Sequence, residues 1–202
     1  MKYLGNVLFL AVCVAAAQTP QTNPPAATPG PTGSNDVAAQ VAVIVKQQFG
    51  ATFSIPAKFP TPVITADFDG DGIEDAVIVA DSKDPLPDSY SFKYKVADPY
   101  GTYFGFGDPR LTSTFRTDPE HNHNLLVILG SGNEGWHAAT PKAKFVLINV
   151  PFDTLEVGRM LVRKNKPPIF VIKALETRLL DSAVFWDAKK KRWRWQPGDT
   201  LE

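Results

Sequence analysis

Four aspartates lie within nine residues, at Asp67, Asp69, Asp71 and Asp75, and an apolar run follows them. Like charges at this spacing repel one another, so their concentration indicates a bound cation. Counted from Asp67, carboxylates fall at positions one, three, five and nine, and glycines fall at positions four and six. Alternate spacing lets a curled loop direct several oxygens at one point, and the glycines supply the backbone freedom that the curl needs.

Oxygen ligands in this number suit Ca²⁺, and Ile73 at position seven can add its backbone carbonyl. Mg²⁺ prefers fewer protein ligands, and the loop has no nitrogen or sulfur ligand for zinc. An EF-hand is not indicated, because position twelve is Ile78 and a β-branched run, Ala76–Ala80, replaces the expected helix. The loop is therefore predicted to join two strands, the second buried on both faces. An acidic turn without metal is the alternative, since Asp and Gly both favour turns.

The stretch Thr65–Ala80 resembles the calcium loop of FG-GAP and VCBS-type repeats, whose pattern Asp-x-Asp-Gly-Asp-Gly-x-x-Asp it fills at every position. The resemblance implies Ca²⁺ in a β-hairpin loop, with Glu74 facing solvent. The ligands that it implies are the side chains of Asp67, Asp69, Asp71 and Asp75 and the backbone carbonyl of Ile73. The family builds propellers from several blades, whereas this chain has one such loop, so a full β-propeller is not expected.

The start of the chain has the pattern of a secretory signal peptide, predicted over residues 1–17. A weakly positive start precedes the mostly apolar Leu4–Ala17, and Ala15–Ala17 offers a small-residue cleavage site. A lipoprotein signal at Cys13 is the alternative, but the bulky Val12 before it fits poorly. We therefore expect an exported, soluble product, periplasmic or extracellular, with no transmembrane segment in the mature chain. Because Cys13 is the only cysteine, the mature protein would have no disulfide.

Residues 18–35 are rich in Pro, Thr, Gly and Gln and are predicted to be a disordered linker. Residues 36–202 are predicted to form a single α+β domain. Its first element is a helix over Asp36–Phe49, with a second helix near Asp153–Val162 and a strand around Tyr90–Val96. The other strands are predicted at Pro62–Ala66, Ala76–Ala80, Leu125–Leu129, Lys144–Val150, Ile169–Leu175, Ala183–Trp186 and Arg192–Trp195. Strands that cluster after one helix favour a mainly antiparallel sheet, expected to be a single sheet with the helix packed on it.

Two histidines are candidates for a second site, separate from the aspartate loop. His121 and His123 share a face in an extended chain and can bind zinc or act as acid and base, although no third ligand is evident. The alternative is a polar entrance to the following strand. Ser131, Glu134 and His137 lie in a loop after that strand and, with the histidines, suggest a hydrolase. The residues two before and two after Ser131 are Leu and Asn, however, so the glycine-flanked serine elbow is lacking.

The segment Trp186–Trp195 interleaves basic and aromatic residues, a pattern that nucleic-acid-binding proteins also show. Period-two alternation predicts a hairpin instead, with Arg192 and Arg194 in solvent and Trp193 and Trp195 on the sheet. The formal net charge is zero, so nothing global favours nucleic acid or an anionic membrane.

The sequence therefore predicts an exported calcium-binding domain that acts as a binding or interaction module for a protein or glycan partner. The ion is expected to be structural, since the carboxylates repel without it and its binding free energy becomes folding free energy. A hydrolase that uses His121, His123, Glu134 and His137 and a structural envelope protein are the alternatives. No catalytic set appears at recognised offsets, so an enzyme is the less favoured interpretation.

Overall fold

The computed structural model describes residues 34–59, 61–82, 84–106, 123–162, 164–176 and 181–198 of the chain. Contacts between residues divide the chain into Met1–Pro31 and Thr32–Glu202. All the structure described below belongs to the second unit. The predicted signal peptide and nearly all of the predicted linker lie outside the described residues.

Helix α1 (Ser34–Phe49) confirms the first predicted helix and begins two residues earlier. Val41, Val45 and Phe49 recur every four residues and are buried, because this spacing places them on one face. The helix ends at Gly50, which has a φ of 98°. Within the described residues, no helix combines the length and the apolar character needed to cross a membrane.

The first sheet has five strands, which are, in chain order, β1 (Val63–Ala66), β2 (Asp75–Ala80), β3 (Lys95–Ala97), β4 (Asn124–Leu129) and β5 (Ala143–Leu147). Their spatial order is β1-β2-β4-β5-β3. All neighbours are antiparallel except β3 and β5, which are parallel. The order places β2 and β4 side by side inside the sheet, so the loops that follow β1 and β4 meet at one end.

The second sheet has four antiparallel strands, which are β6 (Thr154–Met160), β7 (Ile169–Leu175), β8 (Ser182–Asp187) and β9 (Arg192–Pro197). They lie in chain order. The β8–β9 hairpin confirms the period-two prediction. Trp193 and Trp195 are buried while Arg192 and Arg194 are exposed. Arg194 Nη1 lies 3.7 Å from an Asp187 carboxylate oxygen and its guanidinium lies over the Phe185 ring.

The first sheet lies between α1 and the second sheet. Ile78 and Leu126 project from one face onto α1, and Val77 and Leu125 project from the other onto the second sheet. Every residue of β2 and β4 is buried as a result. This confirms that the strand after the aspartate loop is buried on both faces. The class is α+β with mainly antiparallel sheet, and the two open sheets do not form a propeller.

Three predictions about secondary structure were wrong. The chain forms two sheets where one was expected, because among the described strands β6 to β9 pair only with one another. The helix predicted near Asp153–Val162 is the strand β6, an edge strand whose mostly exposed side chains leave no strong apolar period. Of the strand predicted around Tyr90–Val96, only the last two residues are in a strand, the short β3. The short helix α2 (Pro99–Tyr103) follows it, with Asp98 accepting a hydrogen bond from the Gly101 N–H at 2.6 Å.

Candidate metal centre

The aspartate loop closes the hairpin of β1 and β2. The two strands pair up to Ala66 and Asp75, so the loop between them begins with Asp67 and ends with Glu74. Glu74 is exposed, as predicted. Asp75 already belongs to β2 and is buried. The register therefore separates the aspartates into three that belong to the loop and one that belongs to the sheet.

The three loop aspartates converge. Asp67, Asp69 and Asp71 each offer a carboxylate oxygen, and these oxygens all lie within 4.8 Å of one another. Calcium binds oxygen at about 2.3–2.6 Å, so oxygens on opposite sides of one ion are separated by about 5 Å. The group therefore has the dimensions and the donor type to hold a hard cation. It is the part of the predicted ligand set that the structure brings together.

Hydrogen bonds from the backbone hold the loop in its curled shape. Asp67 Oδ1 accepts the N–H groups of Gly70 and Asp71 at 2.8 and 3.0 Å, and Asp67 Oδ2 accepts that of Gly72 at 2.9 Å. Gly70 and Gly72 have φ values of 79° and 87°, which side-chain-bearing residues rarely adopt. The glycines thus turn the backbone so that its N–H groups point inward at the first aspartate.

Asp75 has a different environment from the other three. Its side chain is 1% exposed. One carboxylate oxygen accepts the N–H groups of Phe68 and Asp69 at 2.8 and 3.3 Å, and the other accepts that of Gly130 at 2.8 Å. Burial raises the pKa of Asp75 to about 6, although these N–H groups act in the opposite direction. Asp75 therefore ties the loop to the end of β4, and its role as a ligand stays a prediction.

The end of β4 approaches the loop very closely. A Cβ added at Gly130 would lie 2.3 Å from the backbone oxygen of Glu74, so only glycine fits there. Ile73 is half-buried beside the same glycine, and its N–H donates to Asp71 Oδ1 at 2.9 Å. Its carbonyl as a calcium ligand likewise stays a prediction.

A cation that sequence reasoning missed contacts the group. Lys142 Nζ lies 2.7 Å from Asp69 Oδ2 and 2.5 Å from Asp71 Oδ2. The hydrogen bond from Lys142 holds the pKa of Asp71 below its usual range, and the two carboxylates raise the pKa of Lys142. Lys142 is more than seventy residues away in the chain. Only the pairing of β4 with β5 brings it here, so no local pattern signals it.

The residues proposed for a hydrolase do not converge. His123 precedes β4, whereas Glu134 and His137 lie in the 3₁₀ turn Gly132–His137 beyond its other end. A strand of six residues spans about 20 Å, which separates the two groups. Glu134 and His137 are exposed, and Ser131 donates its hydroxyl to the Thr140 carbonyl at 2.7 Å. His121 lies outside the described residues.

His123 is a buried residue of the strand entrance. Its Nδ1 lies 2.5 Å from Asp81 Oδ1, and its ring packs against those of Phe59 and Phe152. Its Nε2 is buried without a hydrogen-bond partner in the part of the chain that the structure describes. No metal-binding group of three or more His, Cys, Asp or Glu forms around it within those residues. The zinc interpretation therefore gains no described ligand beyond His123 itself.

Comparisons of the chain with family models, with curated proteins and with solved structures gave no match. The resemblance to the FG-GAP and VCBS-type calcium loop accordingly rests on the motif itself.

Proposed function

We propose that this chain is an exported calcium-binding domain whose ion sits in the β1–β2 loop and stabilises the fold. The observation that carries the proposal is the convergence of the Asp67, Asp69 and Asp71 carboxylates on one point. The filled calcium-loop motif supports calcium over other hard cations, and adds the Ile73 carbonyl and Asp75 as further ligands. The signal-peptide pattern of residues 1–17 supports export, which would expose the loop to calcium outside the cytoplasm.

Bound calcium would neutralise the mutual repulsion of the carboxylates. Asp67 and Asp75 accept N–H groups from both sides of the loop, so the backbone presents the carboxylates before an ion arrives. A ligand set drawn from one such loop leaves little open coordination for a substrate. The proposed metal is therefore structural, and the function of the domain lies in what its surface binds.

A titration calorimetry experiment tests the metal. The mature protein, stripped with EDTA, is expected to bind one Ca²⁺ per chain and to bind Mg²⁺ more weakly. Asp69→Ala and Asp71→Ala should each weaken calcium binding at least tenfold, because each removes a charged ligand from a small set. Glu74→Gln is the matched control, since it removes one exposed charge of the same loop and should leave the affinity unchanged. Absence of calcium binding by the wild-type protein would refute the proposal.

An exposed group of aromatic side chains supports the interaction role. Tyr103, Phe104 and Phe106, which we term the aromatic patch, are 50%, 53% and 68% exposed. Tyr103 and Phe104 rest against the ring of Trp195, which is buried on β9. Aromatic rings held at the surface by a sheet residue suit contact with a protein or with the apolar face of a sugar.

Two assays test whether a protein or a glycan binds to the aromatic patch. A phenylalanine derivative with a photo-cross-linking group at position 104 is expected to cross-link to one discrete protein of the native exported fraction. If the partner is a glycan, the wild-type protein is expected to give a binding signal on a glycan array. The same group at Val43, which is 56% exposed on α1, is the control and should give no product. A Phe104→Ser, Phe106→Ser variant should lose either signal. If neither assay gives a signal, the interaction role is wrong.

A further inference from the structure

The Lys142 ammonium contacts the same carboxylates that the calcium site requires. We propose that Lys142 is an internal cation that holds these carboxylates in the ion-free protein and that calcium must displace it. The inference rests on the proposed function, because it concerns the regulation of that same site. It makes the loop a site whose occupancy follows the calcium concentration.

In both Asp69 and Asp71, Lys142 contacts the carboxylate oxygen for which the described residues provide no backbone N–H. Asp69 Oδ1 accepts the Asp71 N–H at 3.2 Å, and Asp71 Oδ1 accepts the Ile73 N–H at 2.9 Å. In each carboxylate the other oxygen, Oδ2, is the one that Lys142 Nζ contacts. A calcium ion bound through these Oδ2 atoms competes with the ammonium group for the same two atoms.

The two cations cannot occupy the group together. A calcium ion bound to both Oδ2 atoms would lie at about 2.3–2.6 Å from them, whereas the ammonium nitrogen lies 2.5 and 2.7 Å from the same atoms. Two cations that share the same pair of oxygens at these distances lie close together, and a divalent and a monovalent charge then repel strongly. Binding of calcium therefore requires that Lys142 leave.

The backbone of Lys142 is held by a hydrogen bond to β4, while its side chain reaches solvent. Its N–H donates to the Leu129 carbonyl at 2.9 Å, which continues the pairing of β4 and β5. Its side chain is 46% exposed, so the released ammonium returns to water without burial. The Asp69 side chain is 3% exposed and the Asp71 side chain 27%, so water screens the pair only in part, and the lysine lowers the apparent calcium affinity without abolishing it. The apparent dissociation constant equals the intrinsic one divided by the fraction of molecules in which the lysine has left the carboxylates.

Calcium titration of lysine variants tests the displacement. Lys142→Met keeps the stem and removes the charge, so it is expected to bind calcium about tenfold more tightly than the wild type, the effect of a lysine that holds the carboxylates in about nine-tenths of the molecules. Lys142→Arg should bind like the wild type because it keeps a cation there. Lys189→Met removes an equally charged side chain from the exposed β8–β9 turn and should change nothing. The advantage of Lys142→Met should shrink as salt rises, because salt screens the half-exposed ammonium group.

A second measurement uses the unmodified protein, so it does not depend on how well a variant folds. In side-chain ¹⁵N NMR, the Lys142 ammonium signal should be present in EDTA and lost to solvent exchange when calcium saturates the site. The Lys144 ammonium, which donates to the Gln48 carbonyl at 2.6 Å, is the internal control and should persist.

The outcomes separate the two proposals. If both the wild type and Lys142→Met fail to bind calcium, the proposed function is wrong and the displacement falls with it. If both bind with equal affinity, or if the Lys142 signal persists at saturating calcium, the displacement is wrong while the calcium site stands.

Discussion

Replacing Asp75 with alanine is expected to lower the free energy of unfolding by about 3 kcal/mol, even in EDTA. The carboxylate accepts N–H groups from Phe68, Asp69 and Gly130, and it is 1% exposed. Alanine leaves these donors without an acceptor, and each buried unsatisfied donor costs about 1–3 kcal/mol. Urea unfolding of the EDTA-treated protein, followed by tryptophan fluorescence, measures the loss.

The neighbouring residue supplies the control for Asp75. Glu74→Ala removes an exposed carboxylate one position away and should change the free energy of unfolding by less than about 0.5 kcal/mol. Asp75→Asn keeps one acceptor oxygen and should cost about half as much as alanine. If Asp75 acted only as a metal ligand, Asp75→Ala would have the same free energy of unfolding as the wild type in EDTA and a lower one only when calcium is present. That result would contradict the prediction.

Calcium is expected to raise the free energy of unfolding by about 2.7 kcal/mol when its concentration is a hundredfold above the dissociation constant. The ion binds the folded loop, whereas the unfolded chain does not hold the three carboxylates together, so binding favours folding. For a domain of this size the gain corresponds to a rise in Tm of about 5–10 °C. Thermal unfolding in EDTA and in saturating calcium, followed by circular dichroism, measures it.

Two variants show whether the stabilisation comes from the proposed group. Asp69→Ala should lose about half or more of the calcium-dependent rise in Tm, because it removes one of the converging oxygens and a tenfold weaker affinity leaves about 1.4 kcal/mol of the stabilisation. Glu74→Gln should keep the full calcium-dependent rise. An identical Tm of the wild-type protein in EDTA and millimolar calcium would rule out a structural ion.

Local patterns were enough for most of the elements. Residue types a few positions apart were enough to predict three features. These are helix α1, the hairpin that carries the aspartates, and the alternation of exposed and buried side chains from Arg192 to Trp195. Side chains return to the same face every 3.6 residues in a helix and every two residues in a strand. These repeats are set by the backbone geometry of the single element, so they can be recognised without knowing which other elements pack against it. The edge strand β6 has no such period, because most of its side chains face solvent and nothing selects apolar residues there.

The sequence by itself determined that carboxylates gather in one hairpin loop, because their spacing and the glycines between them are local properties. Only the tertiary structure decided which residues from distant parts of the chain contact them. The Gly130 N–H at the end of β4 donates to the Asp75 carboxylate, and only glycine fits at position 130. The Lys142 ammonium contacts the carboxylates of Asp69 and Asp71. These contacts depend on how β2, β4 and β5 pair. Strand pairing joins residues far apart in the chain, so no short stretch of sequence encodes it.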